Sequence, residues 1–323
     1  MVFWLTLAAA IAWLLWYMVS VPGKSWSGPL DPLTVEETAV AVNLRGHVAA
    51  IASREHNLFV PPELEASAQY IERAFGGLGY AVSAQRFPAG GQEVRNIEVE
   101  LPGGARAAEI VVVGAHYDSV VGAVGANDNG SGVAAVLELA RLFRDAKPER
   151  TLRFVAFVNE EPPFYHSDAM GSRRYTRRAR ERGENIVAMF SLETIGYYSG
   201  EPGSQRYPFP LGFFYPSTGN FIAFVSNLSS RALLHEALAS FRRHAAFPSE
   251  GVAAPAVIPG VDWSDHWSFW QEGWPALMVT DTAPYRYPHY HTAQDTPDKV
   301  DYDRTARVVT GLHGMLRDLA RVQ

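Results

Sequence analysis

Short apolar runs alternate along the chain with longer stretches in which apolar positions recur every three or four residues. The runs are Ala81–Phe87, Val94–Leu101, Ile110–Gly114, Leu152–Val158, Ile186–Leu192 and Ala276–Thr280. Several, such as "LRFVAFV" at 152–158, are apolar at almost every position, the pattern of a strand buried on both faces. Helical spacing predicts helices over 34–53, 62–78, 132–144, 171–182, 229–244, 265–273 and 305–322. Thr34, with Glu37 three residues later, is a capping-box start, and Gly79 closes the second helix. Buried strands alternating with amphipathic helices predict an α/β fold, with a mainly parallel, mixed central sheet covered by helices on both faces. Phe247–Val261, "FPSEGVAAPAVIPGV", is rich in Pro and Gly and reads as a long surface loop.

The N-terminus departs from this pattern. Val2–Val21 carries no charge and is long enough to cross a bilayer as a helix, with Trp4, Trp16 and Tyr17 suited to its interfaces. No Lys or Arg precedes Lys24 and no A-x-A site follows, which favours an uncleaved anchor over a cleaved signal peptide or a buried core helix. The first two readings place the rest of the chain outside the cytoplasm, either membrane-anchored or exported. Gly23–Leu33 is a Pro/Gly/Ser linker. The expected organisation is therefore an anchor or signal at 1–22, a linker at 23–33 and one domain over 34–323.

Composition narrows the chemistry. A chain of 323 residues can bury a large single core. A net charge of −6 without a basic block argues against nucleic acid as a partner. There are no cysteines, so any metal must be held by His, Asp or Glu.

In a parallel sheet, ligands bind beyond the carboxyl ends of the strands. Polar residues sit there after four of the apolar runs: His116 and Asp118, with Asp128 in the loop beyond; Glu160 and Glu161; Glu193; and Tyr290 with His291. Each alone has an ordinary explanation. The "HYD" triplet suits a surface pair, Asp128 a helix cap, the paired glutamates a solvated strand end, and His291 a loop. Together, two histidines and three carboxylates make an oxygen and nitrogen set suited to a pair of divalent ions. Two dications against three carboxylates and one further anion leave a cluster that is neutral when buried.

"GAHYDS", "GANDNGSG", "NEE", "SLETIG" and "YHTAQDTPD" resemble, in order, the motifs of the zinc aminopeptidases of peptidase family M28, over about residues 34–322. The resemblance implies an α/β/α sandwich of the zinc aminopeptidase, phosphorylase/hydrolase-like type. It implies two Zn²⁺ ions held by His116, Asp128, Glu161, Glu193 and His291, with Asp128 bridging both and a cis peptide between Asp128 and Asn129. Asp118 matches the carboxylate that steadies a metal site through the first histidine. Glu160 matches the general base, and the substrates are peptides with a free N-terminus. The chain departs from the family pattern in two places. Many members carry aspartate where this chain has Glu193, and "NEEPPFYHSDAMGS" holds a longer loop after Glu161.

Two residues carry open alternatives. The Tyr290 hydroxyl stabilises the oxyanion or the ring simply packs beside a ligand. Asp265, in "DWSDHWSFW", is a helix N-cap or, by resemblance to the related glutaminyl cyclases, part of the substrate site. Helical spacing puts Trp263, Trp267 and Trp270 in the core in preference to a pocket wall. Two rival functions share this fold, a glutaminyl-peptide cyclotransferase with a single zinc and a non-catalytic binding ectodomain. The complete five-ligand set favours the peptidase.

Overall fold

The computed structural model describes residues 2–322. Its strands are β1 (Ser83–Ala89), β2 (Gln92–Leu101), β3 (Arg106–His116), β4 (Arg150–Phe157), β5 (Asn185–Glu193), β6 (Ile222–Ser226), β7 (Ser249–Ala253) and β8 (Ala276–Thr280). They form one sheet in the order β1-β2-β4-β3-β5-β8-β6-β7. The centre, β4-β3-β5-β8, is parallel, so four carboxyl ends meet on one edge. β1 and β2 add antiparallel on one side, and on the other β6 runs antiparallel to β8 with β7 parallel to β6.

The helices are α1 (Val2–Val19), α2 (Val35–Ile51), α3 (Pro61–Gly77), α4 (Gly132–Phe143), α5 (Gly171–Glu181), α6 (Arg231–His244), α7 (His266–Trp270), α8 (Ala283–Arg286) and α9 (Tyr302–Ala320). Both halves of the expected capping box form at Thr34 and Glu37. β3 shows why the central strands read as continuous apolar runs. Val111, Val113 and Ala115 pack towards α2, α4 and α9, while Ile110 and Val112 pack on the opposite face with Tyr175 of α5 and Phe269 of α7. Helices therefore cover both faces.

Two expectations are corrected. Phe247–Val261 is not wholly a surface loop, because Ser249–Ala253 forms the edge strand β7. β6, at 222–226, is a second strand absent from the sequence reading. Both are five residues long, too short for periodicity to register, and β7 carries Gly251 at its centre. Pairing with β6 and two flanking bonds make β7 a strand: Tyr215 Oη donates to Gly251 O at 2.7 Å, and Ser249 N donates to Ser25 Oγ at 2.9 Å. The helix expected over 265–273 shortens to α7.

Candidate metal centre

Four strand ends deliver the polar residues to one place. His116 is the last residue of β3 and Glu193 the last of β5. β4 runs out through Val158 into Asn159, whose positive φ of 59° turns the chain so that Glu160 and Glu161 point back over the edge. Beyond β8 the chain passes through α8 and returns at Tyr290 and His291, the latter with φ 56°. Asp128 comes from the glycine-containing turn between β3 and α4, and the peptide after it is cis, as the resemblance implies.

The two oxygens of Asp128 face different histidines. Oδ1 lies 3.4 Å from His116 Nε2, and Oδ2 lies 3.0 Å from His291 Nε2. Each histidine has a second carboxylate of its own: Glu193 Oε2 is 3.3 Å from His116 Nε2, and Glu161 Oε2 is 3.4 Å from His291 Nε2. Charge-assisted hydrogen bonds are shorter than most of these contacts, at about 2.7–2.9 Å. Donors about 2.0–2.1 Å from a tetrahedral ion sit about 3.3 Å from one another, close to the spacing found here. His116 Nε2, Asp128 Oδ2 and Glu161 Oε1 are buried and make no hydrogen bond among the described residues, as expected of lone pairs kept for a cation. His116, Asp128 and Glu161 also satisfy the spacing for a single shared ion. The donor set thus fits divalent metal.

Electrostatics point the same way. Burial pushes Glu161 up to about 7, with the Asp128 charge adding to it and His291 opposing. Burial likewise raises Glu193 to about 7 against the pull of His116. Burial would lower His291, but Asp128 and Glu161 lift it to about 10. These groups hold protons strongly because a cluster of buried carboxylates needs positive charge, and a metal ion competes for the same lone pairs.

Glu160 stands farther off than the other carboxylates, its Oε2 3.8 Å from His116 Nε2. Burial holds its carboxyl well above the usual range, against His116 and with Glu193 reinforcing. Asp118 acts on both sides of the site. Its carboxylate accepts from the backbone N–H of Glu160 and of Glu161, at 3.1 Å each, while its carbonyl oxygen holds His116 Nδ1 at 3.0 Å. Its carboxylate is 3.7 Å from that nitrogen, so it orients the glutamates more directly than the imidazole.

Tyr290 stacks on His291 with ring centroids 3.9 Å apart, and it lines an apolar pocket that starts at Glu193. Asp265 is completely buried and its side chain does not cap α7, so the capping role is not what the structure shows. Both its oxygens lack partners among the described residues, and it lines no part of the pocket. Of the three tryptophans, Trp263 lines the pocket, Trp270 packs against the core, and Trp267 stacks on His166 in the loop after Glu161.

Three supporting residues escaped the sequence reading. Asp295 accepts from the N–H of Asn127 at 2.9 Å and of Asp128 at 3.0 Å, fixing the turn that carries Asp128. Ser264 Oγ donates to Glu193 Oε2 at 2.7 Å, and with it the longer glutamate is held within reach of His116. Asn129 ties the turn to β5, donating to Leu192 O at 2.8 Å and accepting from Thr194 N at 3.1 Å. Asp295 lies inside the "TAQDTPD" motif and Asn129 inside "GANDNGSG", next to the expected cis peptide, and those motifs were the available signals; Ser264 carried none.

The model of "Peptidase family M28" matches residues 96–315. The Escherichia coli (strain K12) protein YfbL is 38% identical over 262 residues, covering 78% of this chain and 80% of that one. Leucine aminopeptidase 1 of Arthroderma otae is 27% identical over 248 residues, 70% of this chain and 58% of that protein. Among solved structures, the aminopeptidase from Aneurinibacillus sp. strain AM-1 superposes with a TM-score of 0.67 at 17% identity, over 89% of this chain and 96% of that one. The glutaminyl cyclase of Fimbriiglobus ruber gives 0.63 at 19%, over 92% and 99%. At such identities the two structures speak for the shared fold alone. On the family match and the E. coli relative, the chain belongs to peptidase family M28 and is a metallopeptidase.

Proposed function

We propose that the chain is a two-zinc aminopeptidase that removes N-terminal residues from peptides, carried by a domain over 34–323 and anchored to a membrane by α1. The observation that carries this reading is the geometry at Asp128, whose two oxygens each meet one histidine that already has its own carboxylate. His116, Glu193 and Asp128 would hold one ion; His291, Glu161 and Asp128 would hold the other. Bound zinc ions supply Lewis-acid polarisation of the scissile carbonyl and a nucleophile available at neutral pH.

The chain's own residues do the rest. Glu160, buried and fixed by the Asp118 bond to its backbone, takes a proton from the attacking water and returns it to the leaving amine. The Tyr290 hydroxyl stays neutral, because burial and the carboxylates of Asp128 and Glu161 raise it well above its usual range. It is thus a hydrogen-bond donor on the pocket wall beside His291 for the oxygen that gains charge. The surplus of carboxylates favours a free ammonium group on the substrate, and Leu211, Val225, Val252 and Met278 surround its first side chain with apolar surface. Asp265, completely buried, does not touch substrate and acts through its electrostatic influence on His116 and Glu160.

The reading is tested by counting metal per chain and by release of coumarin from aminoacyl substrates, with and without chelator. Two zinc ions and chelator-sensitive release are expected. One zinc with cyclisation of N-terminal glutamine would instead establish the cyclotransferase, and zinc-bound protein that releases nothing would establish a binding ectodomain.

A further inference from the structure

We propose that the aromatic turn at Phe209–Phe214, which borders the apolar pocket through Leu211, rests in the headgroup layer of the bilayer and makes that side of the pocket a lipid-contacting surface; this rests on α1 being the membrane anchor. The turn exposes an unusual amount of apolar surface, with Phe209 84% and Phe213 80% accessible and Phe214 44%. Phe209 and Phe213 pack edge to face at 6.0 Å, forming one patch instead of scattered side chains. The stretch 206–214 contains Arg206 and no acidic residue, so nothing in it opposes an anionic lipid surface.

The base of α1 is built into the enzyme with no slack. Arg231 Nε donates to Tyr17 O at 2.9 Å and Arg231 Nη2 to Ser20 Oγ at 2.8 Å, with the guanidinium 4.1 Å over the Tyr17 ring. His235 Nε2 bonds Ser20 O at 2.9 Å, and Arg242 Nη1 donates to Pro22 O at 2.7 Å. Met18 is buried in the apolar cluster that also contains Leu211 and Val252. An 18-residue helix is about 27 Å long, slightly less than the hydrocarbon thickness of about 30 Å. For α1 to span, its last turn must lie at the boundary of the bilayer, and the surface clamped to that turn is drawn against the headgroups.

The aromatic turn belongs to that surface. Leu211, at its centre, shares the Met18 cluster. Tyr215, at its end, is bonded to Gly251 on β7, where a Cβ would meet Val21 Cγ1 at 3.1 Å. Leu211 of the turn lines the pocket wall, together with Tyr207 and Pro208 just before the turn. A peptide lying on or tethered in the membrane therefore reaches the pocket without leaving the interface.

Because the chain has no cysteine, single-cysteine variants of the full chain report position directly. Phe213→Cys would carry an environment-sensitive fluorophore in liposomes of phosphatidylcholine and phosphatidylglycerol containing spin-labelled lipid. Phe209→Cys serves if that variant does not fold. Ala10→Cys in α1 reports the anchor, and Ser83→Cys, on the far edge strand β1, reports aqueous surface. The Phe213 label is expected to shift to the blue and to be quenched several-fold more by shallow spin labels than the Ser83 label. Quenching no greater than at Ser83, with the Ala10 label deep in hydrocarbon, overturns the proposal and leaves the anchor intact. An unquenched Ala10 label overturns the anchor and the proposal with it. A blue shift that appears in lipid-free detergent and grows with protein concentration identifies a second copy as the occupant and overturns it too.

Discussion

Replacing Asp118 separates support of the site from ligation of it. The residue is 2% exposed, and its carboxylate accepts two backbone N–H groups, those of Glu160 and Glu161, both in buried residues. Asp118→Ala leaves two buried donors without an acceptor, at about 1–3 kcal/mol each, so a loss of about 4 kcal/mol is expected. Unfolding entropy of about 2.1 cal/mol/K per residue over 323 residues makes this a fall in Tm of about 6 °C. Asp118→Asn keeps one acceptor oxygen and turns an amide group towards the other N–H, so about half that loss is expected. Activity should fall further than stability, because the same two bonds hold Glu160 at its working position and Glu161 opposite His291. The assays are thermal unfolding of metal-loaded protein and kcat on an aminoacyl-coumarin at saturating substrate. An Asp118→Ala protein that melts within about 1 °C of the parent would refute the reasoning, because two unsatisfied buried amides cannot be that cheap.

Glu160→Gln should retain both metals and lose kcat by about 10²–10⁴, the usual worth of a positioned general base; retained turnover removes Glu160 from that role. Chelation should lower Tm, since zinc at 100 times its Kd contributes about 2.7 kcal/mol, and an unchanged melting curve would show that the centre binds no ion. Ser264→Ala removes the hydroxyl that holds Glu193 Oε2 and should weaken the ion shared by His116 and Glu193 before the other, read as stepwise metal loss in a chelator titration. For Asp265, burial raises the carboxyl to about 7 in the folded chain against about 4 unfolded. Stability from this group is thus complete at low pH and lost as pH rises towards 7. Asp265→Asn should accordingly raise the unfolding free energy measured by urea titration at pH 8, by on the order of 4 kcal/mol, and change it little at pH 4; an equal change at both values excludes the ionisation as the cause.

What the sequence disclosed follows from where its information is local. His116, Glu160, Glu161 and Glu193 each come within a few residues of a long apolar run, so strand and ligand are read together. Asp128 and His291 lie in loops, and only their surrounding motifs gave them away. The supports were harder to see. Asp295 reaches the Asp128 turn across 167 residues and Ser264 reaches Glu193 across 71, and no periodicity encodes such pairings. Asp265 shows the opposite failure: a residue type and position that suggest a cap, overridden by a tertiary setting that buries it without one. β6 and β7 were missed because five residues next to Pro, Gly or Ser carry too weak a pattern, and their stability comes from neighbours.

The division between the legible and the hidden coincides with a division of labour in the sheet. β4, β3, β5 and β8 are parallel and gather the candidate ligands at their common edge. The sheet continues through β6 and β7, and their register sets Glu193, Thr280, Ala223 and Glu250 side by side in one row across β5, β8, β6 and β7. At about 4.8 Å between strands, that row runs about 14 Å from the metal centre to the far end of the pocket. All four residues line the pocket, so its floor is the same sheet that places the ligands. α1 packs against β7, the strand at which this row ends, and Val21, just beyond α1, lies against Gly251. Changes on β6, β7 and the turn above them can therefore reshape the pocket without moving His116, Asp128 or Glu193.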